Sequence, residues 1–402
     1  MTKISASPLD LFQLYLGDAG NAFQICFAVA FAGRIDANLL RDAVSRVGEE
    51  FPILSSRFVG GRESGDFCLS EGEIPVIITD QTPDQVMTTL HPESDALLRI
   101  TICRGKDSDT LIFSVAHLLT DFRGLLDVAK HVADQYRMQK FSAKKFSPKK
   151  IDRTLAVVFE KFSEEQLAKL FLDEEERTRE TISYKNYFLS TDQSSRTMLL
   201  KAALGPETLA RMKIFAKSFD ATVHDLLIAT YAEALSDHLE GERPKKIPLC
   251  STVDLRRYIS EEESVFAANY TVAYWSPVVC GENFSQTVSS AVELSRELKE
   301  NSIGVGAAKP FFDARLTSDD TKKFAGFPFL TNPGVVPDGA LNFGESVAVT
   351  DMEFSCVAKG GMPFSIAVLT YRNVLHLCIS AREDSKEAAS LLKRTVEILE
   401  SI

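Results

Sequence analysis

The chain has 402 residues, 45% of them hydrophobic and 25% charged, which is material for two cores of ordinary domain size. A formal charge of −11 excludes nucleic acid as the main partner, because affinity for a phosphate backbone needs a basic footprint. No apolar run approaches the ~18 residues that span a bilayer, so no transmembrane segment is expected.

The seven cysteines form no C-x-x-C pair and sit in apolar runs such as FQICFAVAF and VLHLCIS, as buried hydrophobes of a reducing compartment do. The amino-terminal MTKISASPLDLF lacks a basic stretch followed by an apolar one, and a cytoplasmic location is expected.

In chain order, Phe23, Ile25, Phe27, Val29 and Phe31 alternate with the smaller Gln24, Cys26, Ala28 and Ala30, which predicts a strand packed on both faces. Asp36 caps a helix with Leu39, Leu40, Ala43, Val44 and Val47 on its apolar stripe, and Pro52 stands past its end. A strand over Ile53 to Phe58 is expected next.

The run Leu111 to Gly124, LIFSVAHLLTDFRG, carries the main chemical signal. Leu111, Phe113, Val115 and His117 share one face of a strand, so the imidazole continues a buried row, with Asp121 four residues on. A buried, oriented imidazole is suited to act as a general base; a histidine merely satisfied inside a core would show the same spacing. The helix that follows has Leu125, Ala129, Val132 and Tyr136 along one stripe.

Five lysines between Lys140 and Lys150 precede an acidic DEEERTRE run. Residues 1–150 are read as an amino-terminal lobe, 151–195 as a linker or crossover, and 196–402 as a carboxy-terminal lobe. The basic segment is a solvated connector or a cradle for phosphates or an acidic partner.

The second half opens with a helix from Pro206 to Phe219 and a second, ATVHDLLIATYAEALSDHL, with a broad apolar stripe. Its end echoes the first lobe: MPFSIAVLTYRNVLHLCISAREDS and a helix repeat the strand, turn, strand, helix order around His117, with Ala381-Arg382 at the equivalent position. One active site per chain follows, between the lobes. His91, His131, His224, His238 and His376 have no second ligand at helical spacing, and no metal site is expected. The Ser142/Lys145 and Ser147/Lys150 spacings arise from lysine density, and Gly304-x-Gly306 lacks the third glycine of a dinucleotide loop.

His117 and Asp121 resemble the second histidine and the aspartate of the HHxxxDG motif of the CoA-dependent acyltransferase superfamily, which includes condensation domains and chloramphenicol acetyltransferase. Ala116 replaces the first histidine and Phe122 the glycine. Ser7-Pro8-Leu9-Asp10, FPILSSRF, ATVHDLLIAT, IPLCSTVDLRRYI, FAANYTVAYW and FLTNPGVV also resemble family segments in family order, over nearly the whole chain. Asn342-Phe343-Gly344 is only loosely similar to an Asp-Phe-Gly-x-Gly motif of plant members, too thinly to carry a role, and is read as a strand-edge turn.

The resemblance implies an α/β fold of the α+β type, with two chloramphenicol-acetyltransferase-like lobes, each a mixed sheet flanked by helices, and a tunnel between them. It implies His117 as general base without a covalent intermediate. Asp121 would be structural and paired with an arginine, Arg256 by position, with Arg257 and Arg123 as alternatives. Thr331 and Asn332 are candidate oxyanion or tunnel residues.

The implied activity is transfer of an acyl group from acyl-CoA or the phosphopantetheine thioester of an acyl carrier protein to a small-molecule alcohol or amine. The thioester is a co-substrate and no cofactor is permanently bound. The alternative is a catalytically silent relative that binds a carrier protein or small ligand.

Overall fold

The alternation at Phe23–Phe31 places a strand at the heart of the first lobe. In the computed structural model, which describes residues 2–16, 23–69, 73–86, 90–138, 151–182, 197–238, 242–313, 327–357, 365–382 and 385–402, the large residues of this strand join the main core while Cys26 and Ala28 face Cys103 and Ile112 on the other side. The lysine segment 140–150, including its serine-lysine spacings, and residues 183–195 lie outside the described residues.

The first half contains β1 (Lys3–Ser5), α1 (Pro8–Leu16), β2 (Gln24–Phe31), α2 (Ala37–Glu50), β3 (Arg57–Gly60), β4 (Gly65–Cys68), β5 (Val76–Thr79), β6 (Leu98–Arg104), β7 (Asp109–Ala116) and α3 (Phe122–Met138). Then come α4 (Ala156–Phe159), α5 (Glu164–Ile182), β8 (Thr197–Leu204), α6 (Pro206–Ser218), α7 (Val223–Ser236), β9 (Lys245–Ile247), β10 (Cys250–Asp254) and β11 (Thr271–Trp275). The chain closes with β12 (Val278–Cys280), α8 (Phe284–Glu300), α9 (Lys309–Phe312), β13 (Phe329–Thr331), β14 (Val335–Val336), β15 (Val349–Val357), β16 (Ser365–Tyr371), β17 (Val374–Arg382) and α10 (Lys386–Ser401).

Two mixed sheets carry the lobes. The first runs β15-β2-β7-β6-β5, antiparallel except for the parallel β5/β6 edge; the second runs β11-β10-β13-β16-β17-β8, with β14 beside β16. Its β10/β13 and β13/β16 pairs are parallel and its β16/β17 and β17/β8 pairs antiparallel. The sheets do not divide the chain at one point, since β15 comes from the second half and pairs with β2 of the first. The internal echo is visible as β6-β7-α3 in one lobe and β16-β17-α10 in the other.

Local sequence explains most boundaries. Asp36 accepts from Asn38 N and Leu39 N to start α2, and Thr222 and Asp225 cap α7 reciprocally. The strand expected at Ile53–Phe58 is corrected: Pro52 opens a 3-10 turn over Pro52–Ser55, and pairing starts only at Arg57. Proline at the first position of a turn has its φ preset and lacks the N–H a ladder needs, and the Ser55 and Ser56 hydroxyls close back on Pro52 O and Ile53 O.

Residues 151–182, read from sequence as a crossing, build a third core. Leu155, Val158, Phe159, Leu167, Leu170 and Phe171 pack with Leu9 and Phe12 of α1 against β10 and β11 of the second sheet. Within this layer Asp10 and Arg153 are fully buried and paired twice, Nε to Oδ2 at 2.8 Å and Nη2 to Oδ1 at 2.9 Å. The same guanidinium donates to Leu119 O at 2.7 Å and Ala267 O at 2.8 Å, so it ties the turn after β7 to the loop before β11.

Removing one member of a buried, hydrogen-bonded pair leaves a bare charge and costs about 3–5 kcal/mol, whereas replacing both by apolar groups can be close to neutral. Arg153→Leu is therefore expected to lower the urea midpoint sharply, with partial recovery in the Asp10→Leu/Arg153→Leu double variant. Equal midpoints for wild type and Arg153→Leu would show that the pair is not holding the layer.

Candidate active site

β7 delivers its apolar row Leu111, Phe113 and Val115 into the first core, ends at Ala116, and leaves His117 as the first residue of the following turn. The backbone there is fixed by His117 N donating to Phe23 O at 2.7 Å, and the imidazole stacks on the Phe23 ring with centroids 5.2 Å apart. Its Nδ1 lies 3.2 Å from Asn269 Oδ1. Protein encloses the ring while one edge opens to a cavity, and burial pulls its pKa below the ordinary value against the opposing pull of its own backbone carbonyl, Asp121, Asn269 and Asp10.

Asp121 accepts five hydrogen bonds. Gly124 N reaches Oδ1 at 3.1 Å, and Oδ2 takes Tyr270 N and Arg256 Nη1 at 2.8 Å and Thr271 N and Oγ1 at 3.1 Å. Burial alone would raise this carboxyl; the Arg256 guanidinium and the backbone N–H groups hold it below the usual range. Arg256 also donates to Asp254 Oδ1, Ser264 Oγ and Ala268 O and lies over the Tyr270 ring. Arg257 is exposed beside Tyr258, and Arg123 faces Asp127 at 3.8 Å, so neither touches Asp121.

Phe122 opens α3 with its ring against Phe27 and Phe354, at centroid distances of 5.3 and 4.5 Å, and is 8% exposed. The position that demands glycine is two residues later. A Cβ on Gly124 would come 2.0 Å from Thr120 Oγ1 and 3.3 Å from Ala267 Cα, so a side chain at this position would push the helix start away from the turn and the 267–271 loop.

Between the sheets lies a cavity of about 1130 Å³ onto which His117, Asp121 and Phe122 open from the first lobe and Thr252, Asp254, Thr271, Ala273 and Trp275 from the second. Phe171, Glu174 and Thr178 of α5 and the segment Gly306–Phe311 complete one wall. Burial raises the Glu174 carboxyl and it pairs with Arg177 at 2.8 Å.

Thr331 and Asn332 line the same cavity from the second sheet. Thr331 Oγ1 accepts from Thr252 Oγ1 at 3.1 Å, which leaves its own hydrogen to donate. The Asn332 carbonyl is occupied by Gly334 N at 3.0 Å, and its amide nitrogen lies 3.3 Å from His224 Nδ1.

The loop Asn342–Gly344 is a turn closed by Gly344 N on Asn342 Oδ1, with Phe343 buried on Phe31 and Tyr136. Among the described residues Asp351, Glu353 and His376 form the one grouping able to hold a metal, at the junction of β15 and β17 and outside the cavity lining; the Lys201 ammonium is already 2.6 Å from both Glu353 and Asp84.

Sequence reasoning did not single out Asn269, Asp10, Arg153 or Thr271 as site residues. Asn269 and Thr271 stand in FAANYTVAYW, which signals a buried strand entry but not which polar residue turns inward. For Asp10 a signal existed: a carboxylate between Leu9, Leu11 and Phe12 requires a buried partner.

No protein-family model matches the sequence, and neither does any curated protein. Solved structures do match it. The trichothecene 15-O-acetyltransferase of Fusarium sporotrichioides superimposes with a TM-score of 0.76 at 12% identity, over 99% of this chain and 96% of that one. Polyketide synthase associated protein 5 of Mycobacterium tuberculosis gives 0.73 at 14% identity over 100% and 98%. The first condensation domain of the CDA synthetase gives 0.65 at 14% identity over 99% and 94%. The chain has the two-lobed fold that condensation domains share with chloramphenicol-acetyltransferase-like acyltransferases.

Proposed function

We propose that the protein is an acyltransferase that moves an acyl group from a CoA or carrier-protein thioester to a hydroxyl or amine, with His117 as general base. The observation that carries this is an imidazole held by Phe23 and Asn269 and opening onto a large interlobe cavity, in a fold that acetyltransferases and condensation domains also use. As the acceptor oxygen or nitrogen bonds to the thioester carbon, its proton passes to His117; the C–S bond then breaks, and the thiolate takes that proton as it leaves.

A donor aimed at the carbonyl oxygen is typically worth ~3 kcal/mol at the tetrahedral stage. Thr331 is the better candidate for it, because the Asn332 amide is engaged on both sides. Asp121 holds Arg256 and the backbone of Tyr270 and Thr271, which supports a structural role. The silent-binder alternative rested on Ala116 and Phe122; Ala116 is a core strand residue, and the Phe122 ring forms wall beside His117 in a cavity that stays open. Phe12, Phe23, Phe171, Trp275, Phe311, Phe329 and Phe354 on the lining support a bulky apolar acyl group or acceptor.

The deciding experiment is thiol release from acetyl- to palmitoyl-CoA and acyl-carrier-protein thioesters with mixed alcohols and amines. His117→Ala is expected to lower release by about 10²–10⁴-fold at matched folding, and equal rates in wild type and variant would end the reading. Burial depresses the His117 pKa, so the base form is lost only on acidification: kcat/KM should rise with pH through an apparent pKa below the ordinary 6.5 and stay flat through neutrality. A midpoint above 6.5 would show the base in a different environment.

Asp121→Ala should lower the melting temperature strongly, because Arg256 loses its buried partner, at a cost of about 3–5 kcal/mol. Unchanged stability with lost turnover would instead give Asp121 a part in the chemistry. Ala273→Phe narrows the cavity and should shift the acyl preference to shorter chains; an unchanged chain-length profile would place the acyl group elsewhere.

A further inference from the structure

We propose that Asp351, Glu353 and His376 form a binding site for one divalent transition-metal ion of the zinc kind, and that the ion fastens the two lobes together at their sheets. None of these residues lines the interlobe cavity, so the site stands apart from the reading of His117.

The donors come from opposite sheets. Asp351 and Glu353, two residues apart on β15, are in register with Ala30 and Ala28 of β2 and share one face of the first sheet. His376 lies on β17 between Leu369 of β16 and Ala203 of β8, in the second sheet. β15 packs against β16 and β17, and this brings one nitrogen and the two carboxylates within 4.8 Å of one another. Helical spacing along the sequence cannot reveal such a set, because its members stand on strands of different sheets.

His376 is what points to an ion. The residue is 8% exposed, and its Nε2 is buried and makes no hydrogen bond among the described residues, although Asp351 Oδ1 is 2.9 Å away. That oxygen accepts from Met352 N at 2.9 Å. A buried ring nitrogen without a hydrogen bond is costly, and a shared ion would satisfy it. Two donors each ~2.1 Å from one ion stand about 2.9–3.4 Å apart, from octahedral to tetrahedral angles.

Charge points the same way. The Lys201 ammonium is 2.6 Å from Glu353 Oε2 and from Asp84 Oδ1. One ammonium among Asp84, Asp351 and Glu353 leaves two formal negative charges, which a dication balances. Lys201 takes a single oxygen of Glu353, and a carboxylate has a second one to give. The Asp351 and Glu353 side chains are 43% and 35% exposed, which gives an ion a path from solvent, while the imidazole closes the dry side. An imidazole nitrogen with carboxylate oxygens suits zinc, cobalt or nickel better than magnesium or calcium, which take oxygen ligands.

The test is titration calorimetry of the chelator-treated full chain with Zn²⁺ alone, with Mg²⁺ and Ca²⁺ as controls, together with hydrogen exchange in the presence and absence of Zn²⁺. The wild type should bind one Zn²⁺ with a micromolar or tighter Kd, and its melting temperature should rise by about 3–5 °C at a roughly hundredfold excess over Kd. Exchange should slow in β15 and β17 together. His376→Gln should weaken binding by more than the roughly 10- to 100-fold that loss of an outer-shell partner costs, and Asp351→Asn repeats the test if the glutamine variant does not fold. Millimolar or no binding by the wild type, equal affinity for Mg²⁺ or Ca²⁺, or undiminished binding by a folded variant would overturn the site. Protection confined to the turn at His117 would put the ion in the cavity and overturn it as well.

Discussion

Two buried ion pairs hold one turn in place, and the candidate site depends on that turn. Residues 117–121 leave β7 without ladder partners, inside the protein, where unpaired backbone carbonyls would be costly. Their carbonyls are met from the second lobe and the third core: Asn269 takes His117 O and Leu118 O, and Arg153 takes Leu119 O. Asp10 anchors both donors, and Asp121 with Arg256 closes the turn at its far end. The three carbonyls behind the imidazole are thus each met by a side-chain donor.

This arrangement explains how the two departures from the resembled motif are accommodated. Ala116 pairs with Gln24 and is packed in the core, and the ring of His117 is steadied by Phe23 and Asn269 with no help from a preceding histidine. Phe122 has room because the close approach between turn and loop occurs at Gly124, where a Cβ would meet Thr120 Oγ1. Side-chain bulk at 122 is directed at Phe27 and Phe354, so it shapes the cavity and leaves the backbone geometry alone.

The parts of the fold set by local rules were legible in the sequence. Alternation marked β2 and β7, and Asp36 marked the start of α2. A period-two or 3.6 pattern reports which face is buried and says nothing of what it is buried against, which is why residues 151–182 read as a connector although Leu155, Val158 and Phe171 form a core. Pro52 overrode a plausible strand pattern at Ile53–Phe58.

At the candidate site, His117 and Asp121 were visible because they are close in sequence and follow an apolar strand, whereas Arg256 was placed by the family resemblance alone. Arg153 was hidden among Lys149, Lys150 and Asp152, since a fully buried guanidinium and a solvated one look alike in a basic run. Asn269 was hidden for a different reason: its value lies in which acceptors surround it, and those come from positions 10, 117 and 118.

That distance in sequence has a mechanical consequence. His117 belongs to the first lobe, and Asn269 beside it precedes β11 of the second, so the contact between them exists only with the lobes closed on each other. The cavity needs the same closure, because its walls come from both sheets and from α5. The interlobe cavity and the Asn269–His117 contact are therefore coupled by one interface.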